Sequence, residues 1–165
     1  MDFINDKAAV EELLRQSDWG VMATAGGGQA YAVPLNYAYV QDRIVFHGAL
    51  EGRKLDEIAA QPRICFCVCR QTGTVQDHGG NPCHVDNWSV LVFGRAKLVT
   101  EEARKAELAN AFNRVYRPEA KELDAKRLAG CAIVEIEIDE MTARREVEAK
   151  TTFWRHVAGR EESKK

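Results

Sequence analysis

The chain has 165 residues, of which 45% are hydrophobic and 29% are charged, and its formal net charge is -2. This composition is typical of a globular protein that buries a core without disulfides or structural metals, and it argues against broad electrostatic binding to nucleic acids or membranes. No apolar run approaches the roughly 20 residues of a membrane-spanning helix, and the acidic, amphipathic N-terminus does not resemble a signal peptide. We therefore expect one cytoplasmic domain over residues 1–165, with a frayed tail from about residue 158.

The chain begins with the pattern of a helix followed by a β-hairpin. Asn5 or Asp6 can cap a helix over about residues 7–16, whose apolar residues recur at helical spacing. A strand is predicted from Trp19 onward, and the three glycines at 26–28 are typical of a hairpin turn.

The returning strand, residues 30–40, contains Pro34, which cannot donate a ladder hydrogen bond and therefore predicts an edge strand or a bulge. A third strand is predicted over 43–48. A helix follows over about 51–60, and Pro62 ends it.

Three of the five cysteines, Cys65, Cys67 and Cys69, alternate along a predicted strand over 64–70 and must share one face of it. Their spacing is not that of a redox or zinc motif, so we expect them to be small buried hydrophobic residues.

Residues 71–86 are predicted to form a long polar loop. It offers several residue types that can bind metals, but their spacing fits no established metal motif, and no metal site is predicted. The loop is better explained as a lid beside a ligand or as a dimer contact. The residues concerned are Asp77, His78, Cys83, His84 and Asp86.

The second half predicts a long strand over 87–100, with Gly94 as a bulge or a point of close approach. Thr100 can cap a helix over 101–116. A second helical piece follows, and then a half-buried strand over 130–139. About six strands joined mostly by short turns favour a small antiparallel barrel decorated by helices.

The turn between the third strand and its helix has an unusual composition. Gly48 and Gly52 flank the turn, and Arg53 and Lys54 follow in the first turn of the helix. Cations there oppose the helix dipole, so they indicate a compensating anion such as a phosphate monoester. The alternative is a solvated basic pair with no ligand.

A small polar strand face precedes this turn. Asn36 shares its face with Ala32 and Pro34, and such a face could receive a flat heteroaromatic ring that hydrogen-bonds to the backbone. A simple solvent-facing side of the strand explains the same pattern.

Three segments in order carry a resemblance: VPLNY at 33–37, FHGALEGRK at 46–54, and SVLVFGRAKLV from Ser89. Together they resemble the split barrels of the pyridoxamine 5'-phosphate oxidase superfamily, which bind flavin mononucleotide (FMN), and most closely the 5-nitroimidazole-resistance (Nim) branch. The resemblance covers roughly residues 10–100. It implies a six-stranded antiparallel split β-barrel that forms a homodimer with two FMN molecules at the subunit interface.

The resemblance also implies roles for individual residues. Arg53 and Lys54 would hold the FMN phosphate, and Gly52 would allow its close approach. Ser89 would contribute near the phosphate or the ring. The remaining contacts, to the isoalloxazine edge, the ring or the ribityl chain, would come from Pro34, Leu35, Asn36, His47, Gly48 and Ala49.

Two differences from the oxidase narrow the range of activities expected for this chain. The oxidase has serine where this chain has Gly52, and its substrate-recognition pattern near the C-terminus is not found here. Oxidation of pyridoxamine phosphate is therefore not expected.

His47 can be either a structural histidine or a proton source beside the flavin, since imidazole exchanges protons near neutral pH. The leading hypothesis is an FMN-dependent oxidoreductase that reduces a small, flat, electron-poor acceptor such as a nitroaromatic. Without a GxGxxG motif, a nicotinamide donor would bind only transiently. The alternatives are a non-catalytic flavin or haem carrier or sensor, with His47 or His84 as axial ligand, and a dimeric scaffold with an empty barrel.

Overall fold

The computed structural model describes residues 2–75, 85–148 and 150–159. Within these residues the chain forms eight strands and four α-helices, with a short 3-10 turn at Gly26–Gly28. In chain order they are α1 (Lys7–Arg15), β1 (Trp19–Thr24), β2 (Tyr31–Asn36), β3 (Ala38–Val40), β4 (Arg43–Gly48), α2 (Arg53–Ala60), β5 (Arg63–Val75), β6 (Val85–Leu98), α3 (Glu102–Tyr116), α4 (Ala125–Ala129), β7 (Ala132–Val147) and β8 (Lys150–Val157).

The sheet curls into a barrel because its two edges are joined through one residue. The strands lie in the order β2-β1-β5-β6-β7-β4-β3, and every pairing between them is antiparallel. β2 and β3 are at opposite ends of this order, yet only Tyr37 separates them in the chain. The predicted edge position of Pro34 is confirmed, since β2 pairs with β1 alone.

The barrel is split along β7. Residues 132–137 of this strand pair with β4, whereas residues 140–147 pair with β8, and β6 lies beside both halves. The predicted fold class, an antiparallel split barrel with helices, is confirmed.

The structure has more strands than the six predicted. Tyr37 divides one predicted strand into β2 and β3, and the predicted loop at 71–86 is shorter because residues 71–75 and 85–86 extend β5 and β6. Strand β8 was not predicted because its sequence, KTTFWRHV, lacks a clean apolar alternation.

The core fills the barrel and extends to one side of it. Inside, Phe46, Phe66 and Trp88 pack with the apolar stripe of α1. Outside, α3 covers a second cluster around Val45 and Ile133. The first half of β7 is therefore buried on both faces, which corrects the prediction of a half-buried strand.

The cysteines of β5 lie on the opposite face from the core. Cys65 and Cys67 are half-buried and Cys69 is exposed, so the prediction that they are buried hydrophobic residues is wrong. The inner face of β5 is filled by Ile64, Phe66 and Val68, as the alternation predicted. Burial raises the pKa of the Cys65 and Cys67 thiols, which disfavours the reactive thiolate at neutral pH.

Acidic side chains cap three of the helices. Asp6 accepts from the Ala9 N–H at 2.9 Å, and Asp124 caps α4 in the same way. The cap of α3 is Glu101 rather than the predicted Thr100, and its two carboxylate oxygens accept from the N–H groups of Ala103 and Arg104. Within the described residues, no helix is long and apolar enough to cross a lipid bilayer.

The predicted bulge at Gly94 is confirmed. Phe93 pairs with Glu140 and Gly94 with Ile138, so β7 contributes one extra residue there. A Cβ added to Gly94 would lie 2.1 Å from the carbonyl oxygen of Glu137, which is far inside van der Waals contact.

We expect Gly94→Ala to lower the free energy of unfolding by about 1–3 kcal/mol or more, because the bulge must open to admit the methyl group. The measurement is urea unfolding. Gly130→Ala is the matched control, since Gly130 has φ -82° and its Cβ would meet nothing closer than 3.6 Å. Equal stability of the two variants would show that the bulge is misplaced.

Candidate functional site

The N-terminus of α2 is open. Its N-cap is Gly52, at φ +124° and ψ 165°, and no side chain caps the helix. The carbonyl oxygen of Gly52 accepts from Leu55 and Asp56, but no described residue accepts from the N–H groups of Arg53 and Lys54. The positive end of the helix dipole therefore lies uncovered beside two cationic side chains.

Lys54 lies over the end of β4. Its Nζ is 5.5 Å from the centre of the Phe46 ring, a cation–π contact. A Cβ added to Gly48 would lie only 2.7 Å from the same Nζ, so the glycine provides the space that the ammonium occupies. No carboxylate of the described residues forms an ion pair with Lys54, and its charge is available to a ligand.

Arg53 is held by a different set of contacts. Its guanidinium carbon lies 4.4 Å from the centre of the Tyr31 ring, and its Nε donates to Oε1 of Glu57 at 3.2 Å. The second oxygen of Glu57 accepts from Thr24 Oγ1 at 3.1 Å. The two neighbouring cations are thus not equivalent, because Arg53 has an internal counterion and Lys54 has none among the described residues.

The sequence analysis did not identify Thr24, Tyr31 or Glu57. Glu57 could have been found, because it is four residues beyond Arg53 and so lies on the same helix face. Thr24 and Tyr31 pair with each other at the end of the β1–β2 hairpin, and only the closed barrel brings that end to α2.

Outward-pointing residues of four neighbouring strands form an exposed, largely apolar surface, which we call the outer face. The cross-strand pairs place these residues side by side across the four strands. Val21 pairs with both Pro34 and Cys67, and Cys67 pairs with Leu91. Trp19 is 60% exposed and Phe93 41%. The outer face consists of Trp19, Val21, Ala23, Ala32, Pro34, Asn36, Cys65, Cys67, Cys69, Ser89, Leu91 and Phe93.

Some of the residues predicted to contact the flavin ring lie on the outer face, and one lies in the core. Pro34, Asn36 and Ser89 lie on the outer face, whereas the Leu35 side chain is buried in the barrel and could offer only its backbone. The Tyr116 hydroxyl lies next to Asn36 and donates to the carbonyl oxygen of the following residue, Tyr37. Burial raises the pKa of Tyr116 to about 12, so this phenol stays protonated at neutral pH.

His47 lies apart from the two cations. Its ring meets Phe112 of α3 edge-on, with 5.0 Å between ring centres, on the opposite face of β4 from Phe46. Ala49 is exposed in the segment between β4 and α2. The structure therefore groups Gly48 and Gly52 with the two cations, and it does not place the His47 side chain beside them.

Of the loop residues considered as metal ligands in the sequence, only one is described by the structure. Asp77, His78, Cys83 and His84 lie outside the described residues, and Asp86 accepts a hydrogen bond from the Glu148 N–H at 2.9 Å. A cleft of about 550 Å³ lies between the end of α1, β3 and the end of α3, and none of the predicted site residues lines it.

A family model described as pyridoxamine 5'-phosphate oxidase matches residues 6–145. The comparison with curated proteins gave no match.

Many solved structures share the fold, and three of them illustrate the likeness. A candidate 5-nitroimidazole antibiotic resistance protein from Bacteroides thetaiotaomicron is 20% identical, with a TM-score of 0.75 over 86% of this chain and 85% of its own. An FAD and haem binding protein from Mycobacterium smegmatis is 18% identical, with a TM-score of 0.72 over 85% and 71% of the two chains. The flavocytochrome Anf3 from Azotobacter vinelandii is 19% identical, with a TM-score of 0.74 over 98% and 83%.

These likenesses support the split-barrel fold, and the family match spans most of the sequence, which confirms the predicted superfamily. The chain belongs to the pyridoxamine 5'-phosphate oxidase family.

Proposed function

We propose that this protein binds the flavin FMN and that the phosphate of FMN lies at the open N-terminus of α2. One observation carries the proposal: Lys54 presents an ammonium with no counterion among the described residues, beside a helix end whose N–H groups are uncapped. A phosphate monoester is dianionic near neutral pH and accepts hydrogen bonds through several oxygens, so it matches both features.

The residues fit such a group sterically as well as electrostatically. Gly52 has no Cβ to obstruct the helix end, and Gly48 leaves the space in which Lys54 lies. The flavin is also supported by the solved relatives, two of which are described as an FAD and haem binding protein and as a flavocytochrome. A single terminal phosphate suits one helix end better than an extended diphosphate does, which favours FMN.

We further propose that a second copy of the chain covers the outer face and that the flavin ring lies at this junction. Trp19, Val21, Leu91 and Phe93 would otherwise leave an apolar patch in water, where such patches are typical of interfaces. Pro34, Asn36 and Ser89 share this face, so they would meet the ring from one subunit while the partner closes the other side. Leu35 and Ala49 would contribute through their backbones.

The bound flavin would supply two-electron chemistry, and the protein would hold it, orient the acceptor and exclude water. A small, flat, electron-poor molecule such as a nitroaromatic would bind between the outer face and the partner subunit, and a nicotinamide would donate electrons by binding there transiently. His47 could deliver a proton only to an acceptor on the α3 side of β4, where its exposed ring lies.

A flavin or haem carrier is the second candidate. The structures described as an FAD and haem binding protein and as a flavocytochrome support it, and so does the exposed imidazole of His47, which is a suitable axial ligand.

The freshly purified protein should be yellow, with the absorbance bands of an oxidised flavin, and denaturation should release FMN identifiable by mass spectrometry. A sharp haem band that is lost in His47→Ala would favour the carrier instead. A colourless protein that gains no thermal stability from added FMN would contradict both.

Removing the two cations should weaken FMN binding. The double variant Arg53→Ala/Lys54→Ala is expected to lose at least about a hundredfold in affinity, because each charged hydrogen bond contributes about 1.5–3 kcal/mol. Titration calorimetry with FMN measures this, and riboflavin, which lacks the phosphate, should bind both proteins alike.

Lys97→Ala, which removes an exposed lysine from β6, is the matched control and should bind FMN as the unmodified protein does. An undiminished FMN affinity of the double variant would refute the phosphate site.

A charge on the outer face should separate the subunits. We expect Val21→Glu, at the middle of the face, to give a monomer in sedimentation velocity and to lose flavin with it, since a buried carboxylate would be unpaired. Val115→Glu is the control, because Val115 is 53% exposed on α3 and outside the face. If the unmodified protein is itself monomeric at micromolar concentration, the proposed dimer is wrong.

A further inference from the structure

Arg53 uses only part of its hydrogen-bonding capacity inside the protein. Its Nε donates to Glu57, whereas no described residue accepts from either terminal nitrogen. The terminal nitrogens are the ones that grip a phosphate bidentately. The internal contact therefore fixes the guanidinium from one edge and leaves its binding edge free.

Glu57 is in turn fixed by the β1–β2 hairpin. The Thr24 hydroxyl donates to its Oε2, and Thr24 is only 5% exposed. A Cβ added to Gly26 would lie 2.9 Å from the same oxygen, so the glycine turn leaves the room that the carboxylate needs. The carboxylate side chain is 14% exposed, which shields this contact from water.

The guanidinium of Arg53 lies over the ring of Tyr31. Tyr31 is the direct partner of Thr24 in the hairpin register, so the platform for Arg53 and the anchor for its counterion come from one cross-strand pair. A flexible arginine placed between two fixed contacts loses less conformational freedom when a ligand binds.

We propose that Thr24, Tyr31 and Glu57 are positioning residues for phosphate binding, acting through Arg53. This inference rests on the proposed function, since it needs a phosphate at the N-terminus of α2. It adds three residues from outside the helix end and assigns them a shared role: they hold the guanidinium so that its two terminal nitrogens face the ligand.

The sharpest test leaves every charge in place. Thr24→Val removes the hydroxyl that anchors Glu57, and Thr24→Ser keeps it. We expect Thr24→Val to weaken FMN binding by about tenfold, or about 1.4 kcal/mol, with riboflavin binding unchanged. Thr24→Ser should bind FMN as the unmodified protein does. A merely structural role would affect both ligands equally.

A double-mutant cycle shows whether Thr24 acts through Arg53. In an Arg53→Ala background, Thr24→Val should have no further effect on FMN affinity. Tyr31→Leu, compared with Tyr31→Phe as the variant that keeps the aromatic platform, gives a second route if the valine variant folds poorly. It should again lower affinity for FMN and not for riboflavin.

The outcomes separate the two proposals. If the unmodified protein binds FMN no more tightly than riboflavin, the phosphate site itself is wrong and the inference fails with it. If FMN is preferred but neither Thr24→Val nor Tyr31→Leu reduces that preference, only the positioning role is overturned. A Thr24→Val effect that persists fully without Arg53 would also overturn it.

Discussion

The single-residue connection at Tyr37 determines the geometry on which the candidate site depends. Because β2 and β3 are the two edges of the sheet, one residue between them forces the sheet to close. Tyr37 is fixed at this point by its own hydroxyl, which donates to the Leu14 carbonyl oxygen at 2.6 Å, and by Tyr116, which donates to the Tyr37 carbonyl oxygen. Burial raises the pKa of Tyr37, so it remains a donor at neutral pH.

Closure gives the outside of the barrel two different surfaces. On β3, β4 and the start of β7, α3 supplies the second apolar cluster and the sheet is buried on both sides. On β2, β1, β5 and β6, no described element covers the outward-pointing residues, and the apolar outer face remains. The covered half has its outward-pointing apolar residues buried within one chain, whereas the outer face is where the proposed second chain would pack.

Features within one element were readable from the sequence, and features between elements were not. The alternation of the cysteines, the glycine bulge at Gly94 and the aspartate cap of α1 all depend on spacing along a single segment, and the structure confirms them. Which face of β5 is buried depends on its neighbours, and there the prediction was wrong. The grouping of two glycines with two cations was likewise local, but the contacts from Thr24 and Tyr31 arise only when the hairpin meets α2.

The contacts around Arg53 and Lys54 also explain how the helix tolerates both cations without a ligand. Two adjacent positive charges in a first turn repel each other and oppose the helix dipole. Glu57 offsets the charge of Arg53 from the next turn, and the Phe46 ring faces the ammonium of Lys54 with its negative quadrupole. The ion pair with Glu57 offsets the charge of Arg53, whereas the ring of Phe46 offsets the charge of Lys54 only in part. The helix can therefore form without a ligand, while the ammonium of Lys54, the terminal nitrogens of Arg53 and the helix end remain for the phosphate that we propose.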